Sequence, residues 1–330
     1  MESLVEYALG IDIGGTNTKF GIVNHRGDIS NVGEISTTNH DEVNLFIDEL
    51  YDAIMPAIKS IGGIDLIKGI GLGAPNGNYY SGTIEYAPNL PWRGIIPIAK
   101  MITNKFNKPC TLTNDANAAA IGELMYGAAR GMRDFIMITL GTGVGSGIVA
   151  NGQLIYGHDG FAGELGHTII RPNGRLHWGT GMKGSLETYT SATGISITAK
   201  EILDERVNEN SLLRDIPHEK ITSKKVCEAA LKGDPIANEV FQITGQILGE
   251  ALANFVMFSS PEAIILFGGV IKAGKLLLDP TRASMEKNLL PIFQNKVKLL
   301  FSELKESDAA ILGASALVWE IKPEALIAAQ

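Results

Sequence analysis

The chain has 330 residues, 45% of them hydrophobic, which suggests about two domains and ample material for a core. Its formal net charge of −8, with no block of Lys or Arg, argues against a broad nucleic-acid-binding face. Its two cysteines, Cys110 and Cys227, make no disulfide framework, the N-terminus lacks a signal-peptide pattern, and no apolar run reaches the ~20 residues of a membrane span, so a soluble, cytoplasmic protein is expected.

The first informative stretch is Leu9-Gly10-Ile11-Asp12-Ile13-Gly14-Gly15-Thr16-Asn17-Thr18-Lys19. An apolar run ends in an acid, then two glycines and small polar residues, and Phe20 to Val23 follows as a second β-rich run. This predicts strand, tight turn, strand. Glycines at 14 and 15 allow positive φ and let backbone N–H groups face a ligand. With donors from Thr16, Asn17 and Lys19, the turn could cradle phosphate oxygens. Asp12 could hold magnesium through water. An ordinary Gly-rich hairpin reads the same.

Asp28 to Ser36 is expected to form a third strand. Residues 41–60 have helical spacing, with an apolar stripe of Leu45, Ile47, Leu50, Ile54 and Ile58, and Gly62-Gly63 stops them. A strand at Ile67 to Ala74 leads into a polar segment, Pro75 to Pro91. It reads as a long loop, a length that is uncommon unless functional. Then come a helix at Ile95 to Phe106, a strand at Cys110 to Thr113 and an alanine-rich helix at Asn114 to Ala129. Asp115 stands at its start, either as an N-cap or as a reactive carboxylate.

The apolar strand Phe135 to Leu140 runs into Gly141-Thr142-Gly143-Val144-Gly145-Ser146-Gly147 and leaves along Ile148-Val149-Ala150. Thr142 lies 126 residues after Thr16, and Gly147-Ile148-Val149 lies the same distance after Gly21-Ile22-Val23. One strand–turn–strand unit therefore occurs twice, and only the first copy carries the acid. Neither turn has the P-loop form, and each leads into a strand where a Rossmann turn would open a helix. A glycine-rich loop follows at Gly157 to His167. Residues 171–184 are turn-rich. Leu186 to Lys232 is mainly helical, broken at Asn208 to Glu219. Pro235 to Phe258 is a long buried helix, Ala263 to Phe267 a strand before Gly268-Gly269, and Leu276 to Leu290 a helix. Val297 to Phe301 is an edge strand and Ala309 to Glu320 a final helix. The alternation predicts an α/β protein with mixed sheets.

Five motifs stand in order: Asp12-Ile13-Gly14-Gly15-Thr16, Asn114-Asp115-Ala116-Asn117-Ala118, Leu140-Gly141-Thr142-Gly143-Val144-Gly145, Gly163-Glu164-Leu165-Gly166-His167 and Phe267-Gly268-Gly269. Together they resemble the ROK family (repressors, open reading frames, kinases), and within it the bacterial glucokinases. The resemblance implies the actin-like (ribonuclease H-like) ATPase fold, with two domains and an interdomain cleft. It divides the chain into a small domain of residues 1–118 plus about 309–330 and a large domain of 119–308. It implies ATP-dependent phosphorylation of a hexose at its 6-hydroxyl, with ATP and magnesium bound, and a homodimer. Domain closure over the sugar is expected because water must be kept from the γ-phosphate, and the charge and hydropathy above lead to no expected nucleic-acid or membrane partner. Asp115 matches the family's catalytic base. Asn89, Asn114, Glu164, His167 and Glu187 match its sugar-binding positions, with Asp115 among them. The turns with Gly14, Gly15, Thr16, Asn17 and Lys19, and with Gly141, Thr142, Gly143 and Gly145, match its phosphate loops. Gly268 and Gly269 match the turn beside the adenosine.

One segment departs from the pattern. The family's cysteine-rich zinc segment is here Trp178-Gly179-Thr180-Gly181-Met182-Lys183-Gly184-Ser185-Leu186-Glu187, with Trp178, Thr180 and Ser185 at the cysteine positions. His167 and His177 are too few ligands for a closed zinc site. No structural zinc is expected, and the loop is expected to keep its shape through packing around Trp178. Alternatives remain: a kinase for mannose, fructose or an N-acetylated hexosamine, an actin-like filament or ATP switch, and a sugar-responsive repressor. The first strand near Tyr7 leaves no room for a repressor's DNA-binding domain.

Overall fold

A computed structural model describes residues 6–305 and 307–320. These residues divide into two compact units, one from 6–131, 154–162 and 303–320, the other of 132–153 and 163–302. The expected boundary at 118 thus falls inside a helix that stays with the first unit. Residues 1–5 and 321–330 of the expected small domain lie outside the described residues.

The first unit contains β1 (Tyr7–Ile13), β2 (Asn17–Asn24), β3 (Ile29–Ser36), α1 (Val43–Ser60) and β4 (Ile67–Gly73). It continues through β5 (Gly77–Asn78), β6 (Thr83–Glu85), β7 (Ile95–Ile96), α2 (Ile98–Phe106), β8 (Cys110–Thr113) and α3 (Asp115–Tyr126). Its main sheet has the order β3-β2-β1-β4-β8. β1 runs antiparallel to β2 and parallel to β4.

Side chains alternate across a strand, and here the alternation separates bulk from space. Leu9, Ile11, Ile13, Ile70 and Leu72 join Phe46, Leu50, Ile54 and Ile58 of α1 in one buried cluster. The expected α1 stripe needs one change: Leu45 is 49% exposed, and Phe46 is buried in its place. The opposite positions include Gly10 of β1 and Gly69, Gly71 and Gly73 of β4. A Cβ on Gly10 or Gly71 would run into the backbone of Ile311 or Ala314. Those residues belong to the final helix (Ala309–Glu320), which lies on this bare face and packs against α3. Gly122 of α3 meets the backbone of Gly313. That contact keeps all of α3 in the first unit.

The segment 75–91 is not a structureless loop. It supplies β5 and β6 of a small sheet, order β5-β6-β7, with antiparallel pairs Gly77↔Ile84 and Ile84↔Ile96. Its strands are too short for an alternating pattern to register.

The second unit begins with β9 (Phe135–Leu140), β10 (Val144–Ala150) and β11 (Gln153–Leu154). Next come α4 (Glu187–Thr190), α5 (Ala192–Glu205), α6 (Ser223–Leu231), α7 (Pro235–Ser259), β12 (Ala263–Phe267), α8 (Lys275–Asn288) and β13 (Lys298–Phe301). The sheet order is β11-β10-β9-β12-β13. β9 is antiparallel to β10 and parallel to β12. Each unit thus has a leading antiparallel hairpin, the repeat that the 126-residue offset predicts, and in each the first strand also pairs in parallel with a later one. α7 starts sharply, with Asp234 accepting from the Ala237 amide and Pro235 in the first turn. Among the described residues no helix is long and apolar enough to cross a membrane.

Candidate active site

In the first unit the β1–β2 turn closes on itself. The Gly14 amide donates to the Asn17 carbonyl at 3.0 Å, and the Thr37 amide donates to the Thr16 carbonyl at 2.8 Å. Neither Gly14 nor Gly15 has positive φ, contrary to expectation. Their glycine identity is a matter of room. A Cβ on Gly14 would stand 2.9 Å from the Asn17 carbonyl oxygen, and one on Gly15 would stand 2.9 Å from that of Asn89. The turn therefore brings Asn89 against Gly15. Thr16, Asn17 and Asn89 are exposed.

Asp12 points to the glycine face of β1, where a Cβ on Gly73 would lie 3.3 Å from its Oδ1 and 3.7 Å from Ala118 of α3. Burial, and then the neighbouring Asp115 charge, push the Asp12 carboxyl up to about 7, against the pull of Lys19. Lys19 is its direct cross-strand partner.

The N-cap of α3 is Asn114, whose side-chain oxygen accepts from the Asn117 amide at 2.7 Å. Asp115 is the next residue and is free of the capping duty that a helix start imposes. Its side chain is exposed. Desolvation by surrounding protein raises its carboxyl, and a backbone hydrogen bond lowers it. The wet surface of the side chain tempers the rise, because hydration of the charged form is only partly lost. On either side of Asp115, Thr113 Oγ1 and both polar atoms of the Asn117 amide are buried without a hydrogen-bond partner.

In the second unit the start of β10 is the hub. The Val144 amide donates to Glu187 Oε2 at 2.7 Å. Ser146 Oγ donates to the Gly163 carbonyl and accepts from the Leu165 amide at 3.1 Å. A Cβ on Gly166 would collide with the Val144 carbonyl. These contacts hold the Gly163–His167 loop and Glu187 to one strand end. Glu164 is exposed, and His167 Nε2 lies 4.0 Å from Glu164 Oε2. The adjoining turn is tied back to α5, where the Ala192 amide donates to the Gly141 carbonyl at 2.8 Å and Thr193 Oγ1 to the Thr142 carbonyl at 3.0 Å.

The turn expected to cradle phosphate offers fewer free amides than the sequence suggests. The Gly141 amide is taken by the Gly143 carbonyl at 3.0 Å and the Gly145 amide by Thr139 Oγ1 at 3.1 Å. A Cβ on Gly141 would meet nothing within 4 Å, so this side of the turn is open for a ligand to approach. Gly268, with φ +102°, fits against the Leu140 carbonyl, where a Cβ would come within 2.6 Å. Gly268 and the exposed Gly269 thereby sit beside the turn that begins at Gly141.

The segment 177–187 is organised differently from the expectation. Trp178 is 48% exposed and His177 only 5%. His177 Nδ1 accepts from the amides of Gly179 and Thr180, both at 3.0 Å, and its Nε2 lies 2.5 Å from Glu187 Oε1. The sequence counted His177 only as an insufficient zinc donor. The signal that was available is a histidine two residues before a Gly-Thr turn. Zinc does not fit the groups present. Both His177 nitrogens are engaged, leaving His167 Nδ1 and Ser185 Oγ as buried atoms without partners, one nitrogen and one hydroxyl with no thiolate. Among the described residues, no group of three or more His, Cys, Asp or Glu side chains could hold a metal ion.

The sequence pattern of the ROK family matches residues 8–321. The chain is 37% identical over 316 residues to the glucokinase of Halalkalibacterium halodurans, covering 94% of each. It is similar to the crystal structure of a ROK family glucokinase from Streptomyces griseus in complex with glucose and AMPPNP, at TM-score 0.77 and 33% identity, covering 94% of this chain and 98% of that one. It is similar also to a ROK family transcriptional regulator, at TM-score 0.85 and 25% identity, covering 96% of this chain and 78% of that one. Fold alone does not separate an enzyme from a regulator.

Proposed function

This chain belongs to the ROK family, and on that premise we propose that it is an ATP-dependent glucokinase, moving the γ-phosphoryl group of ATP to the 6-hydroxyl of glucose. Its fold is the actin-like ATPase fold of the family's sugar kinases. The observation that carries the reading is Asp115: an exposed carboxylate at a helix start that Asn114 caps, beside a second acid on β1. A regulator needs no such group.

Phosphoryl transfer asks the protein for alignment and charge stabilisation more than for covalent chemistry. The sugar's O6 attacks the γ-phosphorus while its proton passes to the Asp115 carboxylate. The bond from that phosphorus to the β–γ bridging oxygen breaks, and ADP leaves with the electron pair. A carboxyl raised above its ordinary range accepts that proton more readily than an ordinary one. Asn89, Asn114, Glu164, His167 and Glu187 orient the sugar. Asn114 spends only its oxygen on the cap, so its amide group can donate to a hydroxyl. Thr16, Asn17, Lys19 and the Thr142–Gly143 amides face the phosphates, with Gly268 and Gly269 beside the adenosine.

Magnesium fits the acids of the first unit, because it needs one or two carboxylates plus phosphate oxygens and water. Asp12 would hold it. Bound there, the ion would neutralise charge on the β- and γ-phosphates. A buried carboxyl at about 7 also has a stability signature. Folded Asp12 keeps a proton that the unfolded chain has released above about pH 4, so its contribution is fully present below that and is lost as pH rises through 7. In urea denaturation, Asp12→Asn is therefore expected to gain on the wild type between pH 5 and pH 8, and added magnesium to narrow the gap at pH 8. A gap independent of pH would remove Asp12 from this role.

The assembly is proposed as a homodimer, on family resemblance. The reading is tested by a coupled assay with ATP over glucose, mannose, fructose and N-acetylated hexosamines. Glucose is expected to give the highest kcat/KM. Phosphorylation of none of them would overturn the reading, and preference for another would change the substrate.

A further inference from the structure

We propose that His177 is a positioning residue for glucose, acting through Glu187. The inference rests on the assignment of Glu187 to the sugar, and it concerns a residue to which that assignment gives no part.

The ring's protonation follows from its partners. Nδ1 accepts from two backbone amides, of Gly179 and Thr180, and so carries no hydrogen. The hydrogen of the neutral ring is therefore on Nε2, which donates it to Glu187 Oε1. Protonation at Nδ1 would set one N–H against two others. The backbone thus fixes both the tautomer and the direction of the donor. Trp178 stacks on the ring, centroids 4.5 Å apart and planes at 22°, and His167 meets it edge-on at 5.6 Å. The His177 amide donates to the Met182 carbonyl at 2.7 Å, which closes the turn around the ring.

Glu187 is thereby held at both ends, Oε1 by His177 and Oε2 by the Val144 amide. Gly143 must be glycine for this arrangement, since a Cβ there would stand 2.5 Å from Oε2. Each carboxylate oxygen has capacity for one more hydrogen bond, and the fixed side chain presents both in a set direction. A sugar that bonds to a pre-oriented acceptor does not have to order it first. Removing the His177 donor frees one end of Glu187 and leaves the rest of the loop intact.

The two duties of the ring can be separated by substitution. His177→Asn keeps an acceptor near the Nδ1 position for the Gly179 and Thr180 amides and loses the donor to Glu187. His177→Gln keeps a donor that reaches toward Glu187 and loses the turn's acceptor. The asparagine variant is expected to melt close to the wild type, with its glucose KM raised tenfold or more and its ATP KM within twofold. The glutamine variant is expected to melt lower, with a glucose KM nearer the wild-type value. In a Glu187→Gln background, His177→Asn should no longer change the glucose KM. An asparagine variant with wild-type glucose KM overturns the proposal. So does a pair in which glucose KM rises in step with lost thermal stability, and so does an undiminished effect in the Glu187→Gln background. Should the asparagine variant fail to fold, the glutamine variant decides, a near-wild-type glucose KM supporting the proposal and a tenfold rise defeating it. A wild-type protein that phosphorylates no hexose would instead defeat the functional reading.

Discussion

Asp115→Asn is expected to lower kcat by roughly 10²–10⁴-fold, the usual contribution of a positioned general base. The substitution is nearly isosteric and leaves the helix cap on Asn114, whose oxygen holds the Asn117 amide at 2.7 Å. The fold and the affinity for ADP should therefore survive. Fluorescence or calorimetric titration with ADP, beside steady-state kinetics over a glucose series, separates the two effects. A fall confined to glucose KM would make Asp115 a binding group only. Turnover within threefold of the wild type would end its assignment as the base. Had Asp115 been the cap, the same variant would have kept its activity, since asparagine caps as well as aspartate.

The largest effect on stability is expected at Gly71. A Cβ there would overlap the Ala314 carbonyl oxygen and stand 2.6 Å from its carbon, well inside contact distance, and backbone atoms cannot turn aside as a flexible side chain can. Gly71→Ala must push the final helix off the sheet, at a cost of roughly 3 kcal/mol. Gly10→Ala meets the Ile311 carbonyl in the same way. Gly141→Ala is the control, since its φ is not positive and its Cβ would touch nothing within 4 Å. It should unfold within about 0.5 kcal/mol of the wild type. Urea denaturation of the three variants checks this. Equal stability of Gly71→Ala and the wild type would mean that the helix is not seated as described.

The same glycines show what was legible beforehand. Lys68-Gly69-Ile70-Gly71-Leu72-Gly73 alternates bulk with nothing, and period-2 alternation is a property of the strand itself. The two hairpins were readable for the same reason, and so was their repetition. The segment 75–91 was not. Its strands Gly77–Asn78 and Thr83–Glu85 are too short to show a period, and they form because a neighbouring strand supplies hydrogen bonds. Leu45 and Phe46 are adjacent apolar residues at the edge of one stripe. Which of them faces inward depends on how α1 is rotated against the sheet, and Phe46 settles it by packing on Trp92 with centroids 4.6 Å apart.

At the site, the order of the motifs, the two strand–turn–strand hairpins and the candidate acids were legible from residues alone, because backbone turns and helix starts follow from residues a few positions apart. The contacts those groups make come from packing between distant parts of the chain. The fold gave the cap of α3 to Asn114 and left Asp115 free, showed that Gly14 and Gly15 serve close approach and not positive φ, and took three of the expected cradle amides, those of Gly14, Gly141 and Gly145, for internal bonds. It also centred the loop of the half-exposed Trp178 on a buried histidine that stacks with it and grips Glu187, whose other oxygen is held by the amide of Val144, 43 positions away in the chain. Such pairings follow from how the strands and loops pack against one another, and no local pattern of residues encodes that distance.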